Sequence, residues 1–257
     1  MPRQRQRSIH LFRFAGIDVF LHWFWFLFAA YEISDRTKSY SSLSWNMLEY
    51  LALFFIVLLH EYGHALACRR VGGTANQIML WPLGGVAYVN PPPRPGATLW
   101  SIAAGPLVNV ALLFVFAPLG IILDRSLGLA KRSPDFHSFL IALLGINAIL
   151  LVFNLLPIYP LDGGQILRSF LWFVVGRARS LMAAAVIGFV GVGGLLLLAA
   201  WTHSVWIGIL SVFILSSCWG GLQQAQALTR LSESPRDEGL PGPPREAARP
   251  AGKVLDL

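Results

Sequence analysis

Long apolar stretches without charge alternate with short polar ones along most of this chain. Four of them, Ala97–Leu123, Ser138–Leu161, Leu181–Trp201 and Ser204–Leu222, have the ~17–25 residues a helix needs to cross a hydrocarbon core of about 30 Å. A fifth, Trp45–Cys68, is equally long but carries Glu49, His60, Glu61 and His64. A sixth, Ile17–Tyr31, is shorter and aromatic, with Asp18 and Glu32 near its ends. The pattern predicts an all-α polytopic membrane protein of about six transmembrane helices, over residues 17–33, 45–68, 97–123, 138–161, 181–201 and 204–222.

Two regions break this rhythm. Gly72–Pro95 is apolar yet full of helix breakers: Gly72-Gly73, Pro82-Leu83-Gly84-Gly85 and Pro91-Pro92-Pro93. Such a stretch is too broken to span and too greasy for a water-exposed loop, so a re-entrant, β-hairpin-like segment is expected over 72–95. The end of the chain changes character instead. Ser, Pro, Gly, Arg and Glu dominate Ser232–Gly252, a composition that cannot bury enough apolar surface to fold. The expected organisation is a membrane domain over 1–225 and a disordered cytoplasmic tail over 226–257.

Composition agrees with a bilayer setting: 55% of the 257 residues are hydrophobic, 13% are charged and mean hydropathy is +0.59. The net charge of +7 does not indicate nucleic acid, because the basic residues lie in short clusters between apolar spans. Arg3, Arg5, Arg7, Arg13, Arg69, Arg70, Arg168, Arg177 and Arg179 fall on one side if six helices alternate. The positive-inside rule makes that side the cytoplasm, with both termini there and the plasma membrane of a bacterium as the expected location. The first apolar run lacks a small-residue cleavage site and reads as an anchored helix. Cys68 and Cys218 lie in apolar helices, where a disulfide framework is not expected.

Within the fifth apolar run, His60-Glu61-Tyr62-Gly63-His64 matches H-E-x-x-H. Histidines at i and i+4 stand about 40° apart around a helix and one turn apart along it, so both imidazoles can reach one tetrahedral zinc. Glu61 is then placed to take a proton from the nucleophilic water. Ionisable groups in a membrane cost ~2.5–3.5 kcal/mol at the helix centre, which argues against their being incidental. A catalytic zinc needs a third protein ligand and an open position. Asp162 closely follows the fourth span, in Asn154-Leu155-Leu156-Pro157-Ile158-Tyr159-Pro160-Leu161-Asp162-Gly163-Gly164. The prolines prevent a regular helix there, and alternation puts Asp162 on the same side of the membrane as the end of the H-E-x-x-H helix. One zinc per chain is expected.

These motifs, with Ala104-Gly105-Pro106-Leu107-Val108-Asn109, strongly resemble the site-2 protease family of intramembrane zinc metalloproteases, peptidase family M50. The likeness runs over roughly residues 10–225 and is nearest to the compact branch that processes a sporulation factor. It implies a zinc metalloendopeptidase that cuts a peptide bond in or beside a transmembrane segment of a membrane-protein substrate, as in regulated intramembrane proteolysis. Larger relatives insert PDZ domains and some compact ones append CBS domains, and this chain has room for neither. The resemblance assigns Asn154 and Pro157 to substrate positioning. Gly84, Gly85 and Val86, in the hairpin, are candidates for receiving an extended substrate strand, and proline at Val86 or Tyr88 is expected to remove a donor from that edge.

The competing reading is a non-enzyme: a catalytically silent relative or a zinc transporter. A transporter needs polar residues strung along a path through the bilayer, whereas here they gather near one end. A silent relative is expected to lose Glu61 or a ligand. Among the remaining polar residues, Asn109 and Asn147 read as interhelical hydrogen bonds, His22 as a packed histidine, Cys68 as a packed thiol, and Gly188, Gly191, Gly193 and Gly194 as a stripe for close helix packing.

Overall fold

The computed structural model describes residues 8–27, 29, 40–81 and 84–233. Strands β1 (Ser8–Phe14) and β2 (Ile17–His22) precede helix α1 (Leu43–Arg70), and β3 (Thr74–Trp81) and β4 (Gly84–Asn90) follow it. Helices α2 (Pro95–Leu127), α3 (Leu129–Arg132), α4 (Pro134–Asn154), α5 (Asp162–Val175), α6 (Arg177–Thr202) and α7 (Val205–Glu233) complete the chain. Five helices are long and apolar enough to cross a membrane among the described residues: α1, α2, α4, α6 and most of α7.

One expectation needs correction at the start of the chain. Ile17–His22 is strand β2, not the beginning of a helix; residues 24–27 and 29 are helical, and residues 28 and 30–33 of the expected 17–33 span lie outside the described residues. The physical reason is rise per residue. Arg69, at the end of α1, donates to the carbonyls of Ala15 and Gly16, while Tyr50, near its start, donates to the carbonyl of Trp25. The chain from Gly16 to Trp25 thus runs back along nearly the whole apolar length of α1. An extended chain gains about 3.3 Å per residue against 1.5 Å in a helix, so an apolar run too short to span as a helix can cover that depth as a strand.

The four strands form one sheet in the order β1-β2-β3-β4. β1 and β2 are antiparallel, joined at Ala15-Gly16, both with positive φ as a two-residue hairpin turn requires. β2 and β3 are parallel, connected through α1, and β3 and β4 are antiparallel. β2 is an interior strand: Ile17, Val19 and Leu21 are buried against α1, Phe20 and His22 are buried on the opposite face, and Asp18 is partly exposed. Ile17, Val19, Leu21, Ile78 and Leu80 pack with Val57, Leu58, Tyr62, Ala65 and Cys68 of α1, so the helix carrying H-E-x-x-H lies against the sheet. The expected re-entrant hairpin is β3–β4, with Pro82-Leu83 outside the described residues. β4 is left at the edge of the sheet.

Other departures follow from local sequence. The span expected over 138–161 ends as helix at Asn154, and a turn through Pro157 and Pro160 leads into α5, which was not anticipated. Gly163 and Gly164 permit that turn, since a Cβ at either would strike the backbone of Leu155 or Ile158. α7 continues to Glu233, past the boundary expected at 226, because Gln223–Arg230 consists mostly of strong helix formers. Residues 234–257 lie outside the described part. Gly188 and Gly191 receive Tyr159 and Ile158 closely, as the stripe suggests, whereas Gly193 and Gly194 face open space.

Candidate active site

α1 presents His60 and His64 on one face, with their Nε2 atoms 3.1 Å apart. Asp162, at the first turn of α5, brings Oδ2 to 3.0 Å from His60 Nε2 and 3.3 Å from His64 Nε2. A helix start is a favourable place for a carboxylate, because the N-terminal N–H groups carry partial positive charge. All three side chains are at least six-sevenths enclosed, at 6%, 7% and 13% exposure.

The other ring nitrogens determine what these atoms are. His64 Nδ1 lies 3.0 Å from the carbonyl oxygen of Ser101, which can only accept, so Nδ1 carries a proton and the neutral ring has its lone pair on Nε2. His60 Nδ1 likewise meets Asn109 Oδ1, at 2.5 Å. With both rings neutral, two lone pairs and a carboxylate oxygen converge on one point, a donor set suited to a cation at its centre. A tetrahedral zinc with ligand bonds of ~2.0–2.1 Å has ligand–ligand edges of about 3.3–3.4 Å, close to the three observed separations. The donor set fits one zinc per chain, and the three residues form a metal-ligand group in geometry. Cys68, one turn beyond His64, turns its thiol to the carbonyl of Thr74 instead.

Glu61 stands beside this group without joining it. Its Oε2 accepts a hydrogen bond from the backbone N–H of Ala87 in β4, at 2.7 Å, and a Cβ at Gly85 would overlap its side chain. Since N–H groups alternate sides along a strand, those of Gly85, Ala87 and Val89 face the free edge, and those of Val86 and Tyr88 face β3. The expectation that proline at Val86 or Tyr88 removes an edge donor is therefore corrected: the edge donor beside the site belongs to Ala87.

A cavity of about 440 Å³ opens over these groups. It is lined by His60, Glu61, His64 and Asp162, by Gly84–Ala87 of β4, by Asn154, and by Leu210 and Phe213 of α7. Gly84, Gly85, Val86 and Asn154 are thus brought to the site, while Pro157 does not line it and instead belongs to the turn that delivers Asp162. Three contributors escaped sequence reasoning: Ala87 as the partner of Glu61, Gly105 as the close approach beneath the histidines, and the pair Asn109–Asn147 as a support for His60. The signal for two of them was present. Gly105 and Asn109 are four residues apart and so share one face of α2. His22 is packed as expected, stacked on Trp81 with ring centroids 3.9 Å apart.

The model of peptidase family M50 matches residues 49–133 and 127–198, together more than half of the chain. The chain belongs to peptidase family M50. A zinc metalloprotease of Methanocaldococcus jannaschii is 34% identical over 181 residues, covering 70% of this M50 chain and 50% of the relative. Stage IV sporulation protein FB of Bacillus subtilis is 32% identical over 132 residues, covering 49% of this chain and 41% of its own length. Among solved structures, the site-2 protease from Methanocaldococcus jannaschii superposes with a TM-score of 0.60 at 28% identity, covering 84% of this chain and 95% of that one. The chain spans about half the length of these curated relatives. The resemblance read from the motifs is thus borne out at the level of family and fold.

Proposed function

We propose that this M50 chain is a zinc metalloendopeptidase that hydrolyses a peptide bond in or next to a transmembrane segment of another membrane protein. The observation that carries the reading is the convergence of His60 Nε2, His64 Nε2 and Asp162 Oδ2 beside an enclosed Glu61, in a helix long and apolar enough to span a bilayer. A zinc ion held by these three residues supplies Lewis acidity toward water and toward the scissile carbonyl. The protein's own residues do the rest. Glu61 accepts the proton of the nucleophilic water and returns it to the leaving amine, its carboxylate aimed by the Ala87 N–H. Asn154 lines the cavity and orients the substrate carbonyl. The apolar walls from β4 and α7 limit water to what the reaction consumes.

A peptide bond in a helix is shielded by its own hydrogen bonds, so the substrate must become extended before it reacts. The free edge of β4 supports presentation by strand addition, with Gly84 and Gly85 allowing close backbone approach. The setting proposed is the plasma membrane of a bacterium with cytoplasmic termini. Arg13 on β1, the β1–β2 turn and Arg69-Arg70 lie at one end of α1, which supports that orientation under the positive-inside rule. Release of a membrane-held regulator is the outcome such cleavage serves.

The test is co-expression of the chain with candidate single-span membrane proteins, beside the same chain carrying Glu61→Gln. Cleavage products present with the parent and missing with the variant support the reading; products that persist with the variant contradict it. The strand-addition step has its own check in Ala87→Pro. Proline is tolerated at a sheet edge but removes the N–H that both aims Glu61 and faces an incoming strand. Zinc content should stay at the parent level while cleavage falls, more for a Leu-rich substrate helix than for one with Gly or Pro near the cut. Undiminished cleavage would show that β4 neither aims Glu61 nor presents the substrate.

A further inference from the structure

Asn109 of α2 and Asn147 of α4 are fully buried, in the span-forming part of the molecule. Asn109 Nδ2 donates to Asn147 Oδ1 at 2.7 Å, and Asn147 Nδ2 donates to the backbone carbonyl of Asn109 at 2.8 Å. Taken alone, the pair is an interhelical bridge of the kind that joins membrane helices. What distinguishes it is the remaining atom, Asn109 Oδ1, which receives His60 Nδ1.

An amide has one accepting end and one donating end, and nothing in its shape favours either orientation. The hydrogen bonds decide it. The backbone carbonyl of Asn109 can only accept, so it fixes Asn147 with Nδ2 toward α2 and, from the reciprocal contact, Oδ1 toward Asn109. That oxygen holds Asn109 Nδ2, which forces Asn109 Oδ1 onto His60. The neutral imidazole must then carry its proton on Nδ1 and leave its lone pair on Nε2. With Asn109 reversed, an N–H would face His60 Nδ1, the ring proton would move to Nε2, and the lone pair that points at Asp162 and His64 would vanish. His64 needs no such arrangement, because its partner is a backbone carbonyl with no donating orientation.

We propose that Asn109 and Asn147 are positioning residues, a relay with a fixed sense that sets the tautomer of His60 and so makes it a metal ligand. The proposal rests on the metalloprotease reading and names the residues that prepare its metal site. Asn147 acts on a histidine it does not touch, through the orientation of a single amide on a third helix.

A carboxylate at position 109 has two accepting oxygens and no wrong way round, which supplies the test. The full chain, purified in detergent, is titrated with zinc alone against a competing chelator, and with Co²⁺ alone for its ligand-field spectrum. Asn147→Leu should weaken zinc by about 10–100-fold, the usual effect of losing an outer-sphere partner, and should perturb the tetrahedral Co²⁺ bands. In the Asn109→Asp background the same Asn147→Leu should cost nothing further. A loss of equal size in both backgrounds, or unchanged affinity in the first, overturns the relay and leaves only helix packing. If Asn147→Leu fails to fold, Asn109→Asp against Asn109→Leu asks the same question. Asp keeping zinc where Leu loses it supports the relay, and equal affinities overturn it. A parent chain that binds no zinc contradicts the metalloprotease reading itself, whereas a parent that binds zinc indifferently to these variants contradicts the relay alone.

Discussion

Glu61→Gln is expected to leave zinc bound and to lower cleavage by ~10²–10⁴-fold, the contribution of a positioned general base. Glutamine keeps the length and polarity of the side chain, and its carbonyl can still accept from the Ala87 N–H, so the strand and the cavity are preserved. What it cannot do is take up a proton from water. Glu61 is not one of the three converging ligand atoms, so metal content should match the parent. Measured together, zinc stoichiometry and turnover separate the roles: turnover within about tenfold of the parent in a zinc-loaded variant would remove Glu61 as the base.

Gly105→Ala is expected to act on the metal instead. A Cβ at Gly105 would overlap the His64 ring at Nε2 and Cε1 and press on His60 Nε2 at 2.8 Å. Neither ring can move aside without losing its Nδ1 partner, Ser101 for one and Asn109 for the other. Displacing ligand rings that are held from behind should cost at least the ~10–100-fold in zinc affinity typical of outer-sphere disruption, with ~1–3 kcal/mol of overpacking strain besides. Gly120→Ala on the same helix is the control, since a Cβ there meets nothing within 4 Å. It should bind zinc like the parent. Equal zinc affinity for Gly105→Ala would mean that α2 does not support the histidines at this point.

Much of this site was legible in the sequence because its chemistry is concentrated in few residues. The H-E-x-x-H spacing puts two imidazoles on one helix face whatever surrounds them, and a bilayer makes three ionisable groups in an apolar run hard to explain otherwise. Asp162 followed from the prolines that end α4 and from the alternation of spans. The structure brings one ligand atom from each of His60, His64 and Asp162 together. Less legible were the parts that depend on how separate segments stack. Ile17–His22 buries Ile17, Val19 and Leu21 against α1 as an interior strand of the sheet, and so short, mostly apolar a run looks the same as a short buried helix in sequence. The Ala87 N–H reaches Glu61 through backbone geometry, to which no side chain contributes a signal. Asn109 and Asn147 each read as an interhelical hydrogen bond, but their pairing and its direction toward His60 need all three helices in place.

Zinc-edge X-ray absorption of the purified full-length chain tests the central claim most directly, with Asp162→Ala measured beside it. One zinc per chain should be found, in a four-coordinate shell of nitrogen and oxygen at ~2.0–2.1 Å with two imidazoles, and zinc content should collapse in the variant. A sulfur shell at about 2.3 Å would replace Asp162 with a thiol such as Cys68, and an unchanged metal content and spectrum in Asp162→Ala would contradict the site as built from His60, His64 and Asp162.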